Sequence, residues 1–290
     1  MISHLYHERQ QTLPQSSPSK PATDISLPKA PDLGEPCSEE RREAPWRFLG
    51  NTTAQEALPA LGLSFKSLRE SYYVREKPIL GVGESYSTVA AEAALLNLPV
   101  YATDLSYDTK REAYLSGIIQ GLEKLKNRYT TRHLMPQGFS DDVIAPDEWS
   151  NRLAYIRGLL NDRMSQCRAS MILLPDGTPA PNQSFDTVYS HHGVPKYSTR
   201  ETFLLLELPE LLRVTHRRLI LAPFVSAGPG DELLHVPNSE NRNRVELISN
   251  ACGFSLEIRT SQTLAAEVRR GLLAPGFDQV GIFFRQRGRM

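Results

Sequence analysis

Apolar runs and helix-spaced stretches alternate along most of this chain. Ile79–Val82 is a short apolar run that leads into a Gly-x-Gly turn. Thr88–Asn97 is built of Ala and Leu and predicts a helix small enough to lie close to a sheet. Leu98–Thr103 is a second apolar run, and it stops on Asp104. Lys110–Tyr129 puts Tyr114, Leu115, Ile118, Ile119, Leu122, Leu125 and Tyr129 on one helical face. Trp149–Met164 reads as a further amphipathic helix, and Ala169–Leu174 as a third strand closed by Pro175-Asp176-Gly177. Phe185–Ser190 and Arg218–Pro223 are the next two apolar runs, with a helix over Thr199–Thr215 that kinks or restarts at Pro209. A helix over Asn241–Cys252, closed by Gly253, precedes two final strands, Ser255–Thr260 and Gln279–Arg285. This alternation predicts an α/β fold: a mostly parallel sheet of seven strands with helices on both faces. Only a short helix fits in Thr263–Leu273, so the last strand is expected to be antiparallel.

The ends of the chain read differently. Residues 1–45 hold seven of the 21 prolines, mixed with Ser, Gln and charged residues. Too little apolar surface is available there to offset chain entropy, so a disordered extension is expected. Residues 46–76 form a helical lead-in, with short helices over Thr53–Leu61 and Ser64–Tyr73. Residues 77–290 carry the α/β domain. Thr130–Glu148 and Val225–Arg242 are long polar connections and the natural covers of a site at one end of the sheet.

Composition narrows the function classes. Hydrophobic residues make up 40% of the chain, enough for a real core. Thirty-three Lys and Arg balance 33 Asp and Glu, which argues against a general nucleic-acid binder. The basic C-terminal Arg285-Gln-Arg287-Gly-Arg289 reads as a local patch or a solvated tail. Cys37, Cys167 and Cys252 are odd in number and widely spaced, with neither metal spacing nor a disulfide framework. They fit a reducing compartment. No leader-type apolar run opens the sequence, and no stretch reaches the ~18 apolar residues of a membrane span. A cytoplasmic protein is expected.

The chemistry gathers at the ends of the predicted strands. Gly81 and Gly83 let backbone approach a ligand, or form an ordinary tight turn. A full dinucleotide fingerprint needs a third glycine where Tyr86 stands, which disfavours a pyrophosphate cofactor. Asp104 is placed to accept from a ribose, or to cap the following helix. Asp176 and Gly177 are either an adenine-side contact or a plain Asp-Gly turn. Ser190, His191 and His192 leave the fourth strand at its carboxyl end, where ligands bind in open α/β sheets. Either histidine is a candidate general base; the alternative is a backbone-capping histidine beside a solvated one. No metal site is expected.

Taken in order, these stretches resemble the class I, Rossmann-like methyltransferases that use S-adenosylmethionine, over about residues 75–290. The run Ile79-Leu-Gly-Val-Gly-Glu-Ser-Tyr-Ser87 is similar to the family's first strand and glycine turn. Gly83 matches the central glycine, while Ser85 and Ser87 stand at later glycine positions. Gly81 stands where the family has an acid near the methionine amino group. The resemblance implies S-adenosylmethionine as cofactor. Gly81, Gly83, Ser85, Asp104, Asp176, Gly177 and Ser190 would line it, and His191 and His192 are candidates for catalysis. It further implies in-line methyl transfer to a small-molecule or peptide substrate lying beyond Ser190–Pro195. The missing acid keeps a second expectation open: a non-catalytic member acting as a binding or regulatory subunit.

Overall fold

The structure is a computed structural model. It describes residues 52–286 apart from residues 105–106, 169–170, 196–197, 199, 227–233, 236–238 and 274. The N-terminal extension expected over residues 1–45 lies outside the described residues. So does the start of the lead-in.

In chain order the elements are α1 (Ala54–Ala60), α2 (Phe65–Arg75), β1 (Ile79–Val82), α3 (Val89–Leu95), β2 (Val100–Asp104), α4 (Tyr107–Lys124), α5 (Lys126–Thr130), α6 (Trp149–Asn161), β3 (Met164–Arg168) and β4 (Met171–Ile172). Then come β5 (Phe185–His191), α7 (Arg200–Thr202), a π-helical turn (Phe203–Glu207), α8 (Leu208–Val214), β6 (Thr215–Ala222), β7 (Val225–Ser226), β8 (Leu234–His235), α9 (Ser239–Ala251), β9 (Phe254–Thr260), α10 (Gln262–Arg269) and β10 (Gln279–Arg285).

Among the described residues one sheet has eight strands in the order β4-β3-β2-β1-β5-β6-β10-β9. Strands β3, β2, β1, β5 and β6 are parallel neighbours. β10 is antiparallel to both β6 and β9, as the short final connection requires. Without the two-residue β4, this is the expected seven-stranded Rossmann-like sheet. β1 and β5 are central, and every residue of β1 is buried. Alternate residues of these strands feed two cores. Ile79, Tyr189 and Ile220 pack with α1, α3, α4, α6 and α10 on one face. Leu80, Val188 and Leu219 pack with α8 and α9 on the other. Helices therefore cover both faces of the sheet.

The small side chains of α3 bring it onto the sheet, and its seven residues are all buried. The Glu92 carboxylate is buried there as a tie, accepting from Ala54 N, Thr88 Oγ1 and the Tyr129 hydroxyl. This one side chain links the start of α1, the start of α3 and α5.

One expectation is corrected. The third strand is Met164–Arg168, not Ala169–Leu174; the more apolar run supplies only β4, which folds back antiparallel onto β3. The connection over residues 130–148 packs against α2. Its Phe139 and Ile144 are buried, and Arg69 of α2 lies over the Phe139 ring and donates to Gly138 O at 2.9 Å. The connection over residues 225–242 begins as a hairpin of β7 and β8, and much of the rest lies outside the described residues.

Candidate functional site

β1 has β2 on one side and β5 on the other, so the connections leaving it and β5 diverge. In an open α/β sheet that switch point opens a crevice beyond the carboxyl ends. Gly83, Asp104, Ser190 and His191 all come from those ends.

The turn after β1 is held by β2. Thr103 O accepts from Gly83 N at 2.8 Å. Gly83 has φ +73° and Ser85 φ +34°, the left-handed region that favours glycine. Ser85 is kept there by two hydrogen bonds to the β2 terminus: its backbone N–H and its Oγ both donate to Asp104 Oδ2, at 3.1 and 2.9 Å. From α4 the Tyr107 hydroxyl donates to Ser85 O at 3.1 Å. Burial, with the charges of Glu84 and Asp104, pushes that phenol well above its ordinary pKa, so it remains a donor. Tyr107 meets Tyr114 edge-on and Tyr114 meets Tyr86 at a tilt, with ring centroids 5.4 and 4.5 Å apart.

The turn after β5 is held by β1. Ser190 Oγ donates to Val82 O at 2.9 Å and accepts from Val194 N at 2.8 Å. His192 has φ +59°, and its backbone N–H donates to Ala222 O at the end of β6. His191 meets it edge-on, with ring centroids 4.3 Å apart. The two turns touch through glycines: a methyl group on Gly83 would lie 2.8 Å from the Gly193 Cα. Replacing Ser190 by alanine unties the two turns and leaves Val82 O and Val194 N without this partner. The expected loss is about 1–3 kcal/mol of stability, read from urea denaturation.

Glu84 is the residue the sequence reading missed. It is 5% exposed, and its carboxyl leans back over β1. A methyl group on Gly81 would lie 2.5 Å from Glu84 Oε1 and 2.7 Å from the Tyr189 hydroxyl. The carboxyl thus occupies the space that a side chain at position 81 would fill. Burial raises its pKa to about 7 against the hydrogen bonds of Ser87 and Tyr189, and Asp104 adds to the rise. Glu84 Oε2 is buried with no hydrogen-bond partner. The signal was present in the sequence: an acid inside a glycine turn, three residues after the position that lacks one.

Gly81, Gly83, Ser85, Asp104, Ser190, His191 and His192 are brought to one end of the sheet. Asp176 and Gly177 are not, which corrects the adenine-side assignment. β4 has already turned the chain back from the carboxyl ends before Asp176 is reached. Asp176 is exposed, and its Oδ1 accepts from the N–H and Oγ1 of Thr178, an ordinary turn. Among the described residues no cluster of His, Cys, Asp and Glu could hold a metal ion, and no helix is long and apolar enough to cross a membrane.

No family model matches the chain, and no curated protein matches its sequence. Solved structures do resemble its fold. The antibiotic-resistance methyltransferase Kmr is 13% identical with a TM-score of 0.40, over 78% of this chain and 94% of its own. The magnesium protoporphyrin IX methyltransferase from Synechocystis, solved with bound SAH, is 12% identical with a TM-score of 0.36, over 76% and 80%. A methyltransferase from Pyrococcus furiosus is 12% identical with a TM-score of 0.36, over 77% and 83%.

Proposed function

We propose that this chain is an S-adenosylmethionine-dependent methyltransferase whose cofactor lies across the carboxyl ends of β1, β2 and β5. One observation carries the reading. Two carboxyl groups, Glu84 and Asp104, flank the Gly83 turn, and the buried Glu84 Oε2 has no partner of its own. That is a donor-seeking surface, suited to a ligand bearing hydroxyls and an ammonium group. Asp104 would accept from the ribose, sharing its carboxylate with Ser85. Gly83, free of a side chain, lets the backbone come close. When bound, the cofactor supplies a methyl group on a sulfonium, an electrophile that needs positioning more than activation. His191 and His192 are the candidate groups to take a proton from the acceptor atom. The substrate would be a small molecule or a peptide bound beyond Ser190–Pro195. The odd number and wide spacing of the three cysteines support a cytoplasmic setting.

The second reading is a non-catalytic domain that binds a partner or regulates one. The contact between Gly83 and Gly193, together with the engagement of Asp104 by Ser85, favours it, because both tie the site's own turns to each other.

Titration calorimetry with S-adenosylhomocysteine tests the proposal, and the expected result is saturable binding. Asp104→Asn should weaken that binding at least about tenfold, the worth of a hydrogen bond to a charged group. No binding by the wild type at high protein concentration would overturn the cofactor reading. Binding without transfer of labelled methyl to any component of a cell extract would favour the second reading.

A further inference from the structure

The surroundings of Glu84 are one-sided. Asp104 faces it from β2 and Tyr189 from β5; Tyr107 faces it from α4 and Ser87 from its own turn. These are carboxyl, phenol and hydroxyl groups. Among the described residues, Arg111 of α4 is the cation that acts on this cluster, through Tyr107, and its Nη2 donates to the carbonyls of Asn161 and Met164. A buried carboxyl in such company either keeps its proton or meets a cation from outside. Its Oε1 lies against the bare backbone of Gly81, and its buried Oε2 has no partner. The absence of a side chain at position 81 is what lets the carboxyl lean there.

Resting on the cofactor reading above, we infer that Glu84 holds the ammonium group of the bound nucleoside from the space beside Gly81, and that binding exchanges the carboxyl proton for this cation. The acid missing at the end of β1 is supplied from three residues further on. In the free protein near neutrality the carboxyl is partly protonated. When the ammonium arrives, the O–H bond of the carboxyl breaks, the proton passes to solvent, and an N–H···O⁻ contact takes its place. No electrons are exchanged and no other reactant is needed. A nucleoside that lacks the amino-acid part gains nothing from Glu84 and displaces no proton.

The experiment compares S-adenosylhomocysteine with 5′-methylthioadenosine, which has no ammonium. Each is titrated into wild type and Glu84→Gln at pH 7, in two buffers of different protonation enthalpy. For the wild type, S-adenosylhomocysteine should release a fraction of a proton, read from the buffer dependence of the heat. 5′-Methylthioadenosine should release none. In Glu84→Gln, S-adenosylhomocysteine should bind at least about tenfold more weakly without proton release. 5′-Methylthioadenosine should keep its wild-type affinity, which also shows that the variant is folded. If the wild type binds both nucleosides and Glu84→Gln binds S-adenosylhomocysteine equally well, or releases the same proton, this inference fails while the cofactor reading stands. If the wild type binds neither, both fall together.

Discussion

Glu84→Gln is expected to make the free protein more stable above neutral pH by about 3 kcal/mol, against the usual effect of changing a buried residue. The carboxyl titrates near 7 in the folded chain and near its ordinary 4.5 when unfolded. At 1.36 kcal/mol per pKa unit that difference gives the figure of about 3 kcal/mol. Below 4.5 both states hold the proton and the carboxyl costs nothing. Between 4.5 and 7 the unfolded chain ionises first, so wild-type stability falls as pH rises. Above 7 the full cost is present. Glutamine does not titrate, so the stability gap between variant and wild type should widen across this window. Urea denaturation at pH 5 and pH 8 measures it; a gap that stays constant would rule out this carboxyl as the source. The variant also loses the anion proposed to hold a ligand, so gained stability and lost affinity should appear in the same molecule.

Asp186→Ala should act in the opposite sense and cost about 3–5 kcal/mol, the effect of breaking a buried ion pair. Asp186 is fully buried at the amino end of β5, far along the sheet from the glycine turn. Its Oδ2 accepts from Ser71 Oγ at 2.6 Å, Thr187 Oγ1 at 2.9 Å and Arg217 Nη2 at 3.0 Å. Arg75 approaches Oδ1 at 3.4 Å. Burial pushes this carboxyl up. The hydrogen bonds from Ser71 and Arg217, with the charge of Arg217, outweigh it and hold the group below the usual range. Its contribution is therefore present above the ordinary carboxylate pKa and is lost as pH falls through the lowered one. Acid titration of wild type and variant, followed by circular dichroism, checks this. The acid-side loss should be smaller in Asp186→Ala. Ligand affinity of the folded fraction should be unchanged, because α2, β5 and β6 meet here at the end of the sheet away from the site.

These two carboxyls show what could and could not be read from the sequence. β1 and β10 have the bounds expected, because both are apolar runs with turn or polar residues on either side. β3 was missed because Met164-Ser-Gln-Cys-Arg168 has a polar pattern, whereas the neighbouring Met171–Leu174 has the stronger apolar signal. Near the sheet edge, backbone pairing with β2 decides the matter, and hydrophobicity does not report it. Asp104 was legible because it terminates a clear strand. Its bond to Ser85 was not, since that needs a left-handed serine at a position where the resembled family has glycine. Asp176 misled because an Asp-Gly turn looks alike at either end of a sheet. Glu84 stayed hidden because its place depends on an absence, the missing side chain at Gly81, and on a carboxyl folding back across three residues.

The fold-back of β4 has a consequence for the chain outside its own fold. A parallel sheet presents two open rims of backbone donors and acceptors, each a template for a strand from another molecule. On one side the two residues of β4 are already paired to the end of β3, and Leu173 bridges to Pro179 beyond them, so the rim is short and interrupted. On the other, β9 carries the exposed pair Glu257 and Arg259, bonded to each other at 2.5 Å. A strand arriving there from a second molecule would have to settle beside fixed charges. Among the described residues both rims of the sheet are thus guarded against edge-to-edge aggregation, one by brevity and one by charge.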